Sequence, residues 1–232
     1  MGFLKSFFTN VFKEGDEVTT QNSFAELTEQ QLESHLKVAK YGDFALTDAV
    51  RPSYDLKVIP TQGYRHESYH DSDAQSSVPV IMSSPTRENV FEAFIELLEP
   101  LGSVVDVVIE SSHDRNVTGQ SDLYREHIDM PVLKSILYEY EELLTHDGCT
   151  GIAVLNPRIP LEVQFDEHKL LIVYGNDLQP FEEILEANGV RCNEQMQFIT
   201  EAEHVHSSCE EYVEKFHALQ TELGMDTDYS IC

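Results

Sequence analysis

Positive charge is what this sequence is shortest of: 15 Lys and Arg stand against 42 Asp and Glu, a formal net charge of −27 over 232 residues. So acidic a chain repels phosphate backbones, which excludes binding of DNA or RNA through a general basic surface. Cysteine is also sparse. Cys149, Cys192, Cys209 and Cys232 contain no CxxC pair and fall far below the density of a disulfide framework, so reduced thiols in a cytoplasm are expected. No apolar run reaches the roughly 18 residues of a membrane span. Residues 3–12 are interrupted by Lys5, Ser6, Thr9 and Asn10, and no small-residue cleavage site follows, so a signal peptide is not expected. Common signatures of catalysis are missing as well: GxGxxG, GxxxxGKS/T, GxSxG and HExxH occur nowhere.

What is present is a strongly patterned C-terminal two thirds, organised around residues 161–190. Leu161, Val163 and Phe165 alternate with Glu162 and Gln164, the pattern of a strand with one wet face. After the polar break at Asp166, Glu167 and His168, Leu170 to Tyr174 is apolar at every position, which requires cover on both faces and predicts a central strand. A helix follows, with Pro180 in its first turn, Phe181, Ile184 and Leu185 as its stripe, Gly189 as its stop and Val190 closing the end.

Further strands are expected at 78–82, 104–110, 152–155 and 195–199. Helices are expected from Ser84 and Pro85 to Leu98, from Asp129 through Leu144 with His146 in the last turn and a stop at Gly148, and along Tyr212, Val213, Phe216, Leu219 and Leu223, the last opened by a capping box at Ser207 or Ser208. The class is α/β or α+β: a mixed sheet of about six strands, including one hairpin and some parallel neighbours, flanked by four main helices. This domain is placed at 78–225, before a tail at 226–232. Residues 1–77 form an N-terminal extension with a helix over 3–12, a helix over 29–41 opened by Thr28 and Gln31, and a polar linker over 61–77.

Three stretches suggest function. Phe3, Leu4, Phe7, Phe8, Val11 and Phe12 share one helical face, a sticky stripe suited to a protein partner or a second copy of the chain. The same residues give a second alternative, a peripheral membrane anchor over 1–13, for which residues 1–6 fit the myristoylation pattern. His204, His206 and Cys209 form a His-x-His-x-x-Cys cluster. Alternating strand residues point the same way and a helix N-terminus favours thiolate, so the three converge on a zinc-like ion, with Glu203 or His217 available to complete the shell. His113, Asp114 and Arg115 lie in a loop beyond a strand, a common place for acid–base groups. His66, His70, Asp71 and Asp73 are read as solvated coil. The leading expectation is an acidic interaction module carrying an aromatic docking helix; the first alternative is a metal-binding protein or metal-dependent enzyme.

Overall fold

The computed structural model describes residues 23–24, 27–71, 76–113 and 123–225. The helix expected over 3–12, with Phe3, Leu4, Phe7, Phe8, Val11 and Phe12, and the tail at 226–232 lie outside them. The chain runs α1 (Glu29–Leu36), β1 (Lys40–Tyr41), β2 (Phe44–Ala45), β3 (Val50–Pro52), β4 (Gly63–Asp71), β5 (Ser76–Ser84), α2 (Val90–Leu97), β6 (Val104–Ser111) and β7 (Leu123–Asp129). It continues with α3 (Met130–Glu139), α4 (Glu141–His146), β8 (Thr150–Leu155), β9 (Glu162–Phe165), β10 (Leu171–Tyr174), α5 (Gln179–Ala187), β11 (His204–His206) and α6 (Glu210–Glu222).

A sheet of seven strands in the order β4-β5-β10-β9-β8-β6-β7 carries the fold, and every pairing in it is antiparallel. The mixed α/β class is as the sequence suggests; the parallel neighbours are not. β5 and β6 do run in the same direction, and α2 links them, but β10, β9 and β8 are inserted between them. The C-terminal hairpin thereby converts what reads as a βαβ unit into an antiparallel sheet.

One sheet face packs under helices, burying Ile81, Val107, Ile109, Val154, Val163, Phe165, Leu171 and Val173 against Phe94, Leu97, Leu137, Leu144, Phe181 and Leu185. Phe94 meets Phe165 with ring centroids 5.2 Å apart. The opposite face buries Tyr69, Val80, Met82, Leu170, Ile172 and Tyr174 beneath Met196 and Phe198. β10 is therefore apolar on both sides because it is covered on both sides. The end of α5 forms as its residues dictate: Gly189 adopts φ +76°, its amide donates to Glu186 O, and the buried Val190 donates to Leu185 O, a Schellman closure.

Several boundaries differ from expectation. Residues 61–77 are mostly strand rather than linker, since β4 pairs with β5 from Gly63↔Ser84 to Asp71↔Ser76, so the sheet begins at Gly63 and not at 78. Polar edge strands carry little hydrophobic signal, and the same applies to β7. β9 is buried at all four positions, Glu162 and Gln164 included, because its second face is covered too. Residues 195–199 form turns ending in a 3₁₀ segment (Ile199–Glu201) instead of a strand. The helix expected from Asp129 to a stop at Gly148 breaks at Tyr140 into α3 and α4, the second of which keeps His146 in its last turn. α1 keeps the Thr28 and Gln31 capping box but stops at Leu36, where the chain turns into the small β1–β2 hairpin around Gly42. α2 begins only at Val90, past the Ser84-Pro85 start signal. The last helix has Cys209 at its N-cap, with no side-chain cap bond. Among the described residues, no helix is long and apolar enough to cross a membrane.

Candidate metal centre

The tight connection from β9 to β10 places the first ligand. Asp166 organises it: its Oδ1 accepts the Leu170 amide at 2.7 Å, its backbone carbonyl accepts the Lys169 amide at 3.1 Å, and its Oδ2 accepts Nδ1–H of His168 at 2.9 Å. Closing so short a turn puts Lys169 in the left-handed region at φ +66°. The Lys169 ammonium is buried and donates to Thr150 O at 2.9 Å.

The other two ligands come from β11, which lies antiparallel to β3 in a separate sheet, with His204 opposite Pro52 and His206 opposite Val50. β3 is pinned by the buried Arg51, whose guanidinium donates to the carbonyls of Leu36, Thr47 and Val50. His204 and His206 sit two residues apart on the strand, so their rings share one side. Gly148 fixes the far end. Its amide donates to Ser207 O at 2.8 Å and its carbonyl accepts Nδ1–H of His206 at 2.5 Å.

His168, His204 and His206 form a triangle, with ring centroids 4.9, 4.7 and 5.0 Å apart. One nitrogen from each lies within 4.8 Å of the others. A tetrahedral ion with Zn–N bonds of about 2.0–2.1 Å needs those nitrogens roughly 3.3 Å apart, so modest ring rotations complete the set. Each Nδ1 faces an oxygen that only accepts: Asp166 Oδ2 for His168, Ala202 O at 2.8 Å for His204, Gly148 O for His206. The Nδ1 protons are thereby fixed, and in the neutral ring the lone pair falls on Nε2.

Electrostatics favour neutral rings at two of the three positions. Burial pushes His204 down to about 4 and also lowers His206, the latter partly countered by the Gly148 carbonyl. Burial opposes charge on His168 too, but the charge and hydrogen bond of Asp166 outweigh it and raise its pKa. Burial likewise lowers Lys169, to about 8, against the attraction of Asp166 and Asp147. A cavity of about 30 Å³ lies beside His168 and Lys169, lined also by Leu46, Pro60 and Phe198, and large enough for a bound water.

The His-x-His pair from the sequence is thus brought together with a third imidazole that sequence reading placed in a polar break. The thiol is not brought with them: Cys209 is exposed at the N-cap of α6 and stands outside the cluster. His217 and Glu203 also stand outside it, and Glu203 instead accepts the Ser23 amide at 2.9 Å. His113 is half-buried beside Asp147, while Asp114 and Arg115 lie outside the described residues. His66 is on the exposed edge strand β4, where both ring nitrogens meet carboxylates, Glu194 at 2.6 Å and Glu182 at 2.9 Å.

Compared with protein-family models, curated proteins and solved structures, the chain matches none.

Proposed function

We propose that this protein binds a divalent transition-metal ion of the zinc class through His168, His204 and His206, in an open site that holds and activates a water molecule. The observation that carries the reading is the triangle of imidazoles whose Nδ1 protons are all engaged by oxygen acceptors, the arrangement that orients histidine ligands at metal centres. Three imidazole nitrogen donors suit zinc, cobalt or nickel better than magnesium or calcium, which prefer oxygen. Three protein ligands leave a fourth position for solvent, and a zinc-class ion there lowers the pKa of its water towards about 7. Asp166 and Gly148 supply the outer support. The net charge of −27 adds a general attraction for cations and argues against polyanionic ligands.

Elemental analysis of protein purified from zinc-supplemented medium tests this directly. One equivalent of metal is expected at this site, and it is lost in His204→Ala and in His206→Ala but kept in Cys209→Ala. Full metal content in both histidine variants would sink the reading.

A further inference from the structure

A second group of donors lies on the other side of the Gly148 segment. Asp147 and Cys149 flank Gly148, and His113 reaches them from the end of β6. Their ligand atoms, the His113 imidazole nitrogen, an Asp147 carboxylate oxygen and the Cys149 sulfur, all lie within 4.8 Å of one another. Asp147 is fully buried, at 0% exposure. Its Oδ2 accepts Thr150 Oγ1–H at 2.5 Å and lies 3.0 Å from His113 Nε2, whereas its buried Oδ1 has no hydrogen-bond partner among the described residues. The Ser208 hydroxyl and the buried Lys169 ammonium also favour this carboxylate's charge, but the Oδ1 atom itself is kept from water without a donor, an expensive feature.

We infer that His113, Asp147 and Cys149 form a second metal site, of mixed nitrogen, oxygen and sulfur donors, that takes a soft or borderline divalent ion such as zinc or cobalt. His113 is prepared for this by Ser111. That hydroxyl lies 2.6 Å from His113 Nδ1 and, by rotating, either donates to it or accepts from it. When it accepts, the proton sits on Nδ1 and Nε2 presents its lone pair where it now faces Asp147. The ion takes the place of the proton shared between His113 and Asp147, and the Cys149 thiol releases its own proton to solvent on binding. Sulfur in the set selects against magnesium and calcium. Burial raises the Cys149 thiol, so without metal this cysteine stays protonated and poorly reactive.

The two sites draw on different side chains. They share the backbone of Gly148, whose carbonyl serves His206 while its neighbours supply Asp147 and Cys149. They also meet at Lys169, which is attracted by both Asp166 and Asp147 and donates to Thr150 O, and at Thr150, whose hydroxyl donates to Asp147. A further group, His66, Cys192 and Glu194, has similar donors but is exposed, and His66 already spends both nitrogens on carboxylates.

Cobalt titration of the metal-stripped full chain distinguishes these sites, because only a thiolate ligand gives a near-ultraviolet sulfur-to-cobalt charge-transfer band. The wild type is expected to take up two equivalents and show the band. Cys149→Ser, nearly isosteric, should lose the band and one equivalent while keeping a wild-type melting temperature without metal. His113→Ala should likewise lose the band and one equivalent, at a lower melting temperature because it strips a partner from the buried Asp147 carboxylate. The double variant of His204→Ala with His206→Ala should keep the band and one equivalent. A wild type that binds one equivalent with the band defeats the three-histidine reading and leaves this one standing. Absence of the band at saturating cobalt, its survival in Cys149→Ser, or its loss in Cys192→Ser or Cys209→Ser would overturn the assignment.

Discussion

The Oδ2 atom of Asp166 accepts Nδ1–H of His168 at 2.9 Å while its Oδ1 atom accepts the amide of Leu170 at 2.7 Å. One carboxylate thus closes the turn between two central strands and aims the ligand that the turn carries. Asp166→Asn keeps much of the shape but weakens both bonds. We expect it to reduce zinc affinity about 10–100-fold, the usual cost of losing an outer-shell partner, as measured by competition with a chromogenic chelator. His168→Ala should abolish binding at the three-histidine centre. Unchanged affinity in Asp166→Asn would detach this carboxylate from the centre.

Gly148 tolerates no side chain. A Cβ there would stand 2.3 Å from Ala49 O and 2.9 Å from Ser207 O, both backbone atoms that give way only if the β3 and β11 ends move. Gly148→Ala should cost about 2 kcal/mol or more of stability and displace His206. Thermal melting and metal content, measured on one preparation, should fall together; a normal melting temperature with full metal would show that the contact yields cheaply.

Glu162 lies in β9 at 5% exposure, and burial pushes its carboxyl up to about 7, opposed weakly by the bond that Gln164 Nε2 donates at 2.6 Å. The folded chain therefore holds a proton here that the unfolded chain has released, across the window from its ordinary value of 4.5 to about 7. This contribution is complete below the lower value, falls as pH rises through the window, and is gone above the upper one. Its size is about 3 kcal/mol at 1.36 kcal/mol per pH unit. Urea unfolding of wild type and Glu162→Gln at several pH values should reveal a difference that changes across this window in the variant's favour as pH rises. A difference that stays constant with pH refutes the assignment.

Ile172 is 1% exposed in β10, between β5 and β9. Ile172→Asp leaves a charge without a partner in an apolar layer and should cost on the order of 4 kcal/mol or more. Loss of the cooperative thermal transition is the expected result, and a near-normal melting curve would contradict the layer's structure.

The docking role expected from the sequence for Phe3, Leu4, Phe7, Phe8, Val11 and Phe12 is tested by removing residues 1–13. If that face binds a partner or a second copy, sedimentation should show loss of association while the melting temperature of the remainder stays unchanged. A large fall in melting temperature would assign the face to the protein's own core, and loss of liposome flotation alone would assign it to a lipid surface.

Hydrophobic periodicity made the interior of the fold legible: β10, α5 with its glycine closure, and the stripe of α6 all follow from it. It is silent about β4 and β7, whose solvated faces break the alternation, and about β3, whose three residues are too few to carry a period. Strand order was hidden for another reason. Nothing local in Val80 or Val105 records that their strands lie apart with three others between them. At the candidate centre, the two-residue spacing of His204 and His206 was readable because both belong to one strand. His168 joins them through tertiary contact across 36 residues of chain, and Cys209 is carried away because the helix start turns it into solvent. The Asp166-x-His168 pair in a hairpin turn was the available local signal for the third ligand.

The inserted order of the sheet also governs how the chain is made. Ser83 in β5 meets Leu171 in β10 across 88 residues of sequence. At roughly 5–20 residues per second, the inner edge of β5 leaves the ribosome about 4–18 s before its partner exists. Over that interval the β4–β5 hairpin presents Val80, Ile81 and Met82 on an unpaired edge, an invitation to other nascent chains. Polar residues on the outer strand, among them Arg65, His66, Glu67 and His70, guard only the opposite edge. Synthesis of this protein thus carries its aggregation risk early, and release from it comes only when β10, the last strand of the seven-stranded sheet, is added.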